Sequence, residues 1–138
     1  MKFDKAKRAA SLDLATDRDV ARARTVVGRI MKEQDAKVLM QTRFVTAVSE
    51  IARNAVRHGG GGTMEVYLLP GGRIGVECRD EGPGIADVEA ALTDGFSTIN
   101  SMGRGLGGAK RLSELFTIET MPNEGTTIRM TSRLRGGR

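Results

Sequence analysis

Apolar positions along the chain alternate between a period of two and a period near 3.6. Leu12 and Leu14 share one face of a first predicted strand over residues 9–15. Thr16-Asp17-Arg18-Asp19 then matches a capping box, and Val20, Ala23, Val27 and Ile30 follow at helical spacing, which predicts a helix over 17–33. A second helix is predicted over 36–58, with Phe44, Val48, Ile51 and Ala55 as its apolar stripe and the four glycines of 59–62 as its stop. Met64, Val66 and Leu68 alternate, Pro70-Gly71-Gly72 turns the chain, and a strand over 73–80 returns, giving a hairpin. Residues 85–102 carry little periodicity, and a stretch of that length without structure is usually functional or mobile. A glycine-rich run over 103–108 opens a third helix that continues through Leu112 and Leu115. Phe116, Ile118 and Thr120 alternate in one further strand, Thr126, Ile128 and Met130 in another, and Pro122-Asn123-Glu124-Gly125 is the turn between them. Helices interleave with hairpins rather than with single strands. That order predicts an α/β two-layer sandwich: a mixed, mostly antiparallel sheet with three helices on one face.

Composition narrows the class. The 138 residues suit one domain, expected over 9–134 between basic tails at 1–8 and 135–138. Hydrophobic residues make up 39% and aromatics only 4%, with no Trp, so the core must be aliphatic with Met as filler. No run resembles a membrane span or a signal peptide, and a cytoplasmic protein is expected. Cys78, the single cysteine, falls on the apolar face of its strand and reads as a small buried hydrophobe. The net charge is +5, with basic residues gathered at both ends. No aromatic is interleaved with them and no recognition-helix motif accompanies them, so solvated tails or attraction to an acidic partner explain the charge better than direct nucleic-acid binding.

The candidate chemistry begins at Asp80-Glu81-Gly82-Pro83-Gly84. Alternation puts Ile74, Val76, Cys78 and Asp80 on one face, so Asp80 aims a carboxylate at the interior from a strand end. Such a group is costly unless hydrogen-bonded. Taken alone, Asp-x-Gly is also an ordinary polar turn. Glu50 and Asn54 stand four apart on the second helix, beside its apolar stripe. They are either a helix-edge pair or the lining of a cleft. An amide oxygen can ligate Mg²⁺ and a carboxylate can take a proton from an attacking hydroxyl, which suits a phosphate site. Residues 103–108 satisfy G-x-G-x-x-G, but no strand precedes them, so the dinucleotide reading fails on context. What survives is close backbone approach and the free N–H groups that open a helix, or else a plain hinge. Thr126 shares the core face with Ile128 and Met130, where its hydroxyl needs a partner that backbone alone can supply.

The conjunction is more specific than its parts. Glu-x-x-x-Asn on a helix, Asp-x-Gly-x-Gly after a strand, Gly-x-Gly-x-Gly before a helix and Gly-Thr-Thr opening a strand resemble the GHKL ATP-binding superfamily over residues 9–134. The resemblance implies the Bergerat fold, with ATP held between sheet and helices. It implies that Asp80 bonds the adenine amino group with Thr126 in support, and that Gly82 and Gly84 leave room for the nucleotide. It makes Asn54 the Mg²⁺ ligand and Glu50 the general base. Gly103, Gly105, Leu106, Gly107 and Gly108 would bind the nucleotide at the edge of a lid that closes on the γ-phosphate. The length, with no transducer domain or phosphoacceptor-histidine helix expected, points within the superfamily to small stand-alone serine kinases of bacterial partner switching. Asp80 to Ile85, Asp94-Gly95-Phe96-Ser97-Thr98 and the run from Gly105 to Leu112 are similar to the stressosome switch kinase, or RsbT-like, branch. That branch implies a STAS-domain protein as substrate and a serine phosphatase as the partner engaged on release. The anti-sigma kinases, which bind a sigma factor and phosphorylate a STAS antagonist, are the alternative, and a non-catalytic nucleotide-gated binding module is a third reading.

Overall fold

The computed structural model describes Phe3, residues 6–93 and residues 105–135. In chain order the elements are β1 (Lys7–Leu14), α1 (Asp17–Glu33), α2 (Val38–Arg57), β2 (Gly62–Leu69), β3 (Arg73–Asp80), α3 (Val88–Ala91), α4 (Gly105–Arg111), β4 (Leu115–Met121) and β5 (Gly125–Arg133). The strands form a single sheet in the order β1-β2-β3-β5-β4. Every pairing between described strands is antiparallel, so the expected sheet is antiparallel throughout rather than mixed.

Register sorts the sheet into rows. Leu12, Met64, Cys78, Ile128 and Ile118 form one, and Ala10, Val66, Val76, Met130 and Phe116 the next. These rows face the helices, and α2 lies against them, with Phe44, Val48, Ile51 and Ala55 all buried. The Cys78 thiol donates to the Ile51 carbonyl across that contact at 3.8 Å, and burial pushes its pKa up to about 12. It is an inert core group. The next row towards the strand ends is Leu14, Gly62, Asp80, Thr126 and Thr120. Here the apolar pattern gives way to polar groups, at the edge of the helix-covered core.

The helix starts have local causes. The Asp19 carboxylate accepts the N–H groups of Ala15 at 2.8 Å and Thr16 at 3.1 Å, closing the first turn of α1. No side chain caps α2. Its N-terminus is instead pinned by the far end of the chain, where Lys37 N–H donates to the Leu134 carbonyl at 2.9 Å.

Four expectations are corrected. Lys7 and Arg8 belong to β1 rather than to a loose tail, and Arg8 pairs with Glu65 at 2.9 Å. Residues 88–91 of the unpatterned stretch form one helical turn, α3, whose start is capped by the Asp87 carboxylate on Ala90 N–H. The third helix ends at Arg111 and does not reach Leu115. Leu112 and Leu115 are three apart, as in a helix, but pairing with β5 takes over: Glu114 N–H donates to the Thr131 carbonyl at 2.8 Å and Leu115 opens β4. Lastly, Arg135 is not a free tail residue, since it pairs with Asp35 at 3.6 Å. The middle of the expected lid, with Gly103 of the glycine run, lies outside the described residues.

Candidate functional site

Asp80 closes β3 on the helix-facing row and is only 7% exposed. Burial raises its pKa, while hydrogen bonds from the backbone N–H groups of Gly82 and Thr126 act the other way. Gly82 donates to Oδ1 at 3.0 Å, so the turn after the strand folds back onto its own acid. Gly59, at the end of α2, presses against the same carboxylate: a Cβ there would stand 2.6 Å from Oδ2. A Cβ on Gly82 would in turn stand 2.6 Å from the Gly59 carbonyl oxygen. The helix end, the acid and the turn therefore interlock, and any side chain at 59 or 82 would move the carboxylate. Gly84 adopts φ +81 and abuts the Met121 carbonyl, which leaves no space for a side chain. At 82 and 84 the missing Cβ faces the chain's own backbone.

Glu50 is 4% exposed in the middle of α2. Its pKa is raised by burial, against the opposing pull of the Arg53 guanidinium and the Gly105 N–H. Arg53 Nη1 lies 3.3 Å from Glu50 Oε1, one helical turn away. Asn54 lines a cleft of about 450 Å³ together with His58, Pro83, Gly84, Ile85 and Leu106. The fold thus brings three distant stretches to one opening: the end of α2, the turn after β3 and the start of α4. Gly107 and Gly108 are buried in that first turn of α4. Asp80 and Thr126 line a separate concavity of about 490 Å³ with Thr120, Gly125, Arg79 and Glu119.

Two participants escape the sequence reading. Gly59 reads as a helix stop, yet its role is steric contact with Asp80; a glycine directly after a helix gives no signal to separate the two. Thr120 reads as a strand residue, yet its hydroxyl accepts the Ile85 N–H at 2.9 Å, donates to the Gly125 carbonyl at 3.2 Å and lies 3.0 Å from the Thr126 hydroxyl. With Asn123 N–H donating to the Pro83 carbonyl at 2.8 Å, it straps the turn after Asp80 onto the β4–β5 hairpin.

A buried acceptor at a strand end, a carboxylate and a carboxamide one turn apart on the facing helix, and a glycine-rich helix start across the cleft form a donor and acceptor set suited to a nucleotide. Comparison with known proteins agrees. The chain is 35% identical over 125 residues to the serine/threonine-protein kinase RsbT of Bacillus subtilis (strain 168), covering 88% of this chain and 94% of that protein. It is 31% identical over 116 residues to the anti-sigma F factor of Thermoanaerobacter sp. (strain X514), covering 79% and 81%. Among solved structures, the RsbU and RsbW domains of Rv1364c from Mycobacterium tuberculosis superpose with a TM-score of 0.66 at 23% identity, over 94% of this chain and 34% of that longer one. The catalytic domain of the histidine kinase ThkA superposes with a TM-score of 0.51 at 11% identity, covering 93% of this chain and 99% of that one, a likeness of fold alone. Residues 14–132, from the end of β1 almost to the end of β5, match the histidine kinase-like ATPase domain, and the chain belongs to that family.

Proposed function

We propose that the protein is an ATP-dependent protein serine/threonine kinase of a bacterial partner-switching pathway, acting on a STAS-domain protein. The observation that carries this reading is a pair of buried acids on separate elements, Glu50 on α2 and Asp80 at the end of β3, which suits two separate roles. Asp80 is held by backbone donors at the nucleobase end, and Glu50 stands on α2 one turn before Asn54. Asp80 takes the adenine amino group as an acceptor, with Thr126 beside it in the same row. Asn54, opening into the cleft, offers one amide oxygen to Mg²⁺. Among the described residues no cluster of three or more His, Cys, Asp or Glu is assembled for a metal, so Asn54 would hold the ion jointly with the phosphates, the mode Mg²⁺ favours. The ion's contribution is to neutralise charge on the transferring phosphoryl group. Glu50 accepts the proton of the attacking serine hydroxyl, and burial favours that role by raising the carboxylate's proton affinity above that of an exposed acid.

The test is transfer of labelled phosphate from ATP to a STAS-domain protein of the source cell, with and without chelator. Incorporation that needs both Mg²⁺ and Glu50 supports the kinase; ATP binding without any transfer supports the non-catalytic module. The likeness to anti-sigma F factor favours a second reading, an anti-sigma factor that also phosphorylates a STAS antagonist. Capture of partners with ATP and with ADP separates the two: a serine phosphatase beside the STAS protein marks the switch kinase, a sigma factor the anti-sigma branch. Among the described residues no helix is long and apolar enough to cross a membrane.

A further inference from the structure

Thr120 is engaged on three sides by groups whose chemistry leaves few arrangements open. A threonine hydroxyl has one proton and two lone pairs. The Ile85 N–H can only donate, and it stands 2.9 Å from Thr120 Oγ1. The Gly125 carbonyl can only accept, and it stands 3.2 Å away. The third neighbour, Thr126 Oγ1 at 3.0 Å, can do either. One arrangement satisfies all three contacts together. Thr120 gives its proton to Gly125, fills one lone pair with the Ile85 N–H, and fills the other with the Thr126 proton. The Thr126 hydroxyl is then spent as a donor and turns only lone pairs outward. It is 4% exposed and lies directly across from Asp80, whose carboxylate accepts and cannot donate while ionised.

We infer that Thr120 is a specificity-determining residue: by consuming the Thr126 proton it makes the base end of the site acceptor-only, so that an amino-purine is taken and an oxo-purine refused. The inference rests on the proposed placement of the nucleobase at Asp80. An exocyclic amino group has hydrogens for both acceptors. An exocyclic carbonyl would bring a third acceptor to that point, and the ring N1–H that accompanies it can serve only one of the two protein acceptors. An oxo-purine therefore leaves a polar contact unmade, the kind of mismatch by which polar sites discriminate. Thr120 touches no base in this account. It acts through Thr126, and through Ile85, which lines the cleft.

The experiment is equilibrium binding of ATP, ADP and inosine triphosphate, which replaces the amino group by a carbonyl, to the wild-type protein and to three variants. Thr120→Val removes the hydroxyl and frees the Thr126 proton. The ATP-to-inosine-triphosphate affinity ratio should fall about tenfold, the worth of one buried polar contact. ATP and ADP should weaken equally, because the change lies at the base and not at the γ-phosphate. Thr120→Ser should restore the ratio. Thr120→Ala, which lacks the hydroxyl without added bulk, should reproduce the valine result should valine fail to fold. A ratio unchanged in both hydroxyl-free variants, with ATP and inosine triphosphate shifted by one common factor, would overturn the inference and leave Thr120 as a strap on the turn. A wild-type protein that binds neither triphosphate would instead overturn the nucleotide reading on which it depends.

Discussion

Asp80 shows how a candidate site residue is held against its own solvation. Its carboxylate is 7% exposed and its pKa is raised, so the folded state binds that proton more tightly than the unfolded chain. Stability then falls as pH rises from the ordinary carboxylate range through the raised folded value, and neutral pH lies on the unfavourable side. Asp80→Asn should therefore unfold at a higher temperature than the wild type at pH 7, with the gain shrinking as pH is lowered below that window. The same change should weaken ATP by roughly 1–3 kcal/mol, since the adenine amino group would face a donor. Calorimetric titration and a thermal melt read the two effects in one preparation, and unchanged ATP affinity in a folded variant would remove Asp80 from the base site. Glu50 has a raised pKa for the same first reason, burial. Glu50→Gln should keep ATP binding and lower phosphoryl transfer by about 10²–10⁴-fold, the usual range for a general base. The wild-type rate should rise with pH through a value above the ordinary Glu range, and the residual rate of the variant should lose that dependence.

At the scale of elements, the site depends on the packing of the end of α2 against the end of β3. Gly59 is the point of contact, and its glycine is required by the neighbouring carboxylate rather than by its own backbone angles. Gly59→Ala should displace Asp80 and lower both stability and ATP affinity, the first by about 1–3 kcal/mol as in other overpacked positions. Gly60, whose Cβ would meet nothing, is the control. Its φ of +75 makes alanine moderately strained, but Gly60→Ala should leave ATP affinity unchanged. Denaturant melts and ATP titration of the two variants separate a steric role at the site from a general cost of filling the glycine run.

Across the whole molecule, the helices cover one face of the sheet and the other carries an ion-pair ladder. Arg129 is 6% exposed there, donates to Glu77 at 2.6 Å and also pairs with Glu119. Arg73 and Arg133 flank Glu114 in the same way, at 3.0 and 3.1 Å. Truncating a largely buried cation removes the closest partner of Glu77, which keeps only the longer contact to Arg79 at 3.7 Å. Arg129→Ala should cost roughly 2–3 kcal/mol, between the values for exposed and fully buried pairs. ATP affinity should not change, because Arg129 points to the opposite face from Asp80 and Thr126 and is not among the residues that line their concavity. A denaturant titration beside a binding isotherm tests both statements.

The order of the strands and long helices, the face of each strand and the boundaries of α1 are legible in the sequence, because period and capping are local properties that neighbouring residues write directly; the single turn of α3 is not. The sequence also marked Glu50, Asn54, Asp80 and Thr126, since an acid or hydroxyl on an apolar face conflicts with its surroundings within a few residues of chain. Tertiary structure decided what depends on residues far apart. Sheet pairing ended α4 at Arg111 and drew Leu115 into β4, although the spacing of Leu112 and Leu115 suits a helix. Backbone contact between distant segments required glycine at 59 and 82, which no local pattern distinguishes from a helix stop and a turn. The orientation of one hydroxyl proton at Thr120 follows from three groups on two other segments of the chain, Ile85 on one and Gly125 and Thr126 on the other. Hydrogen-bond direction is set by the whole set of neighbours, and that set exists only once the chain has folded.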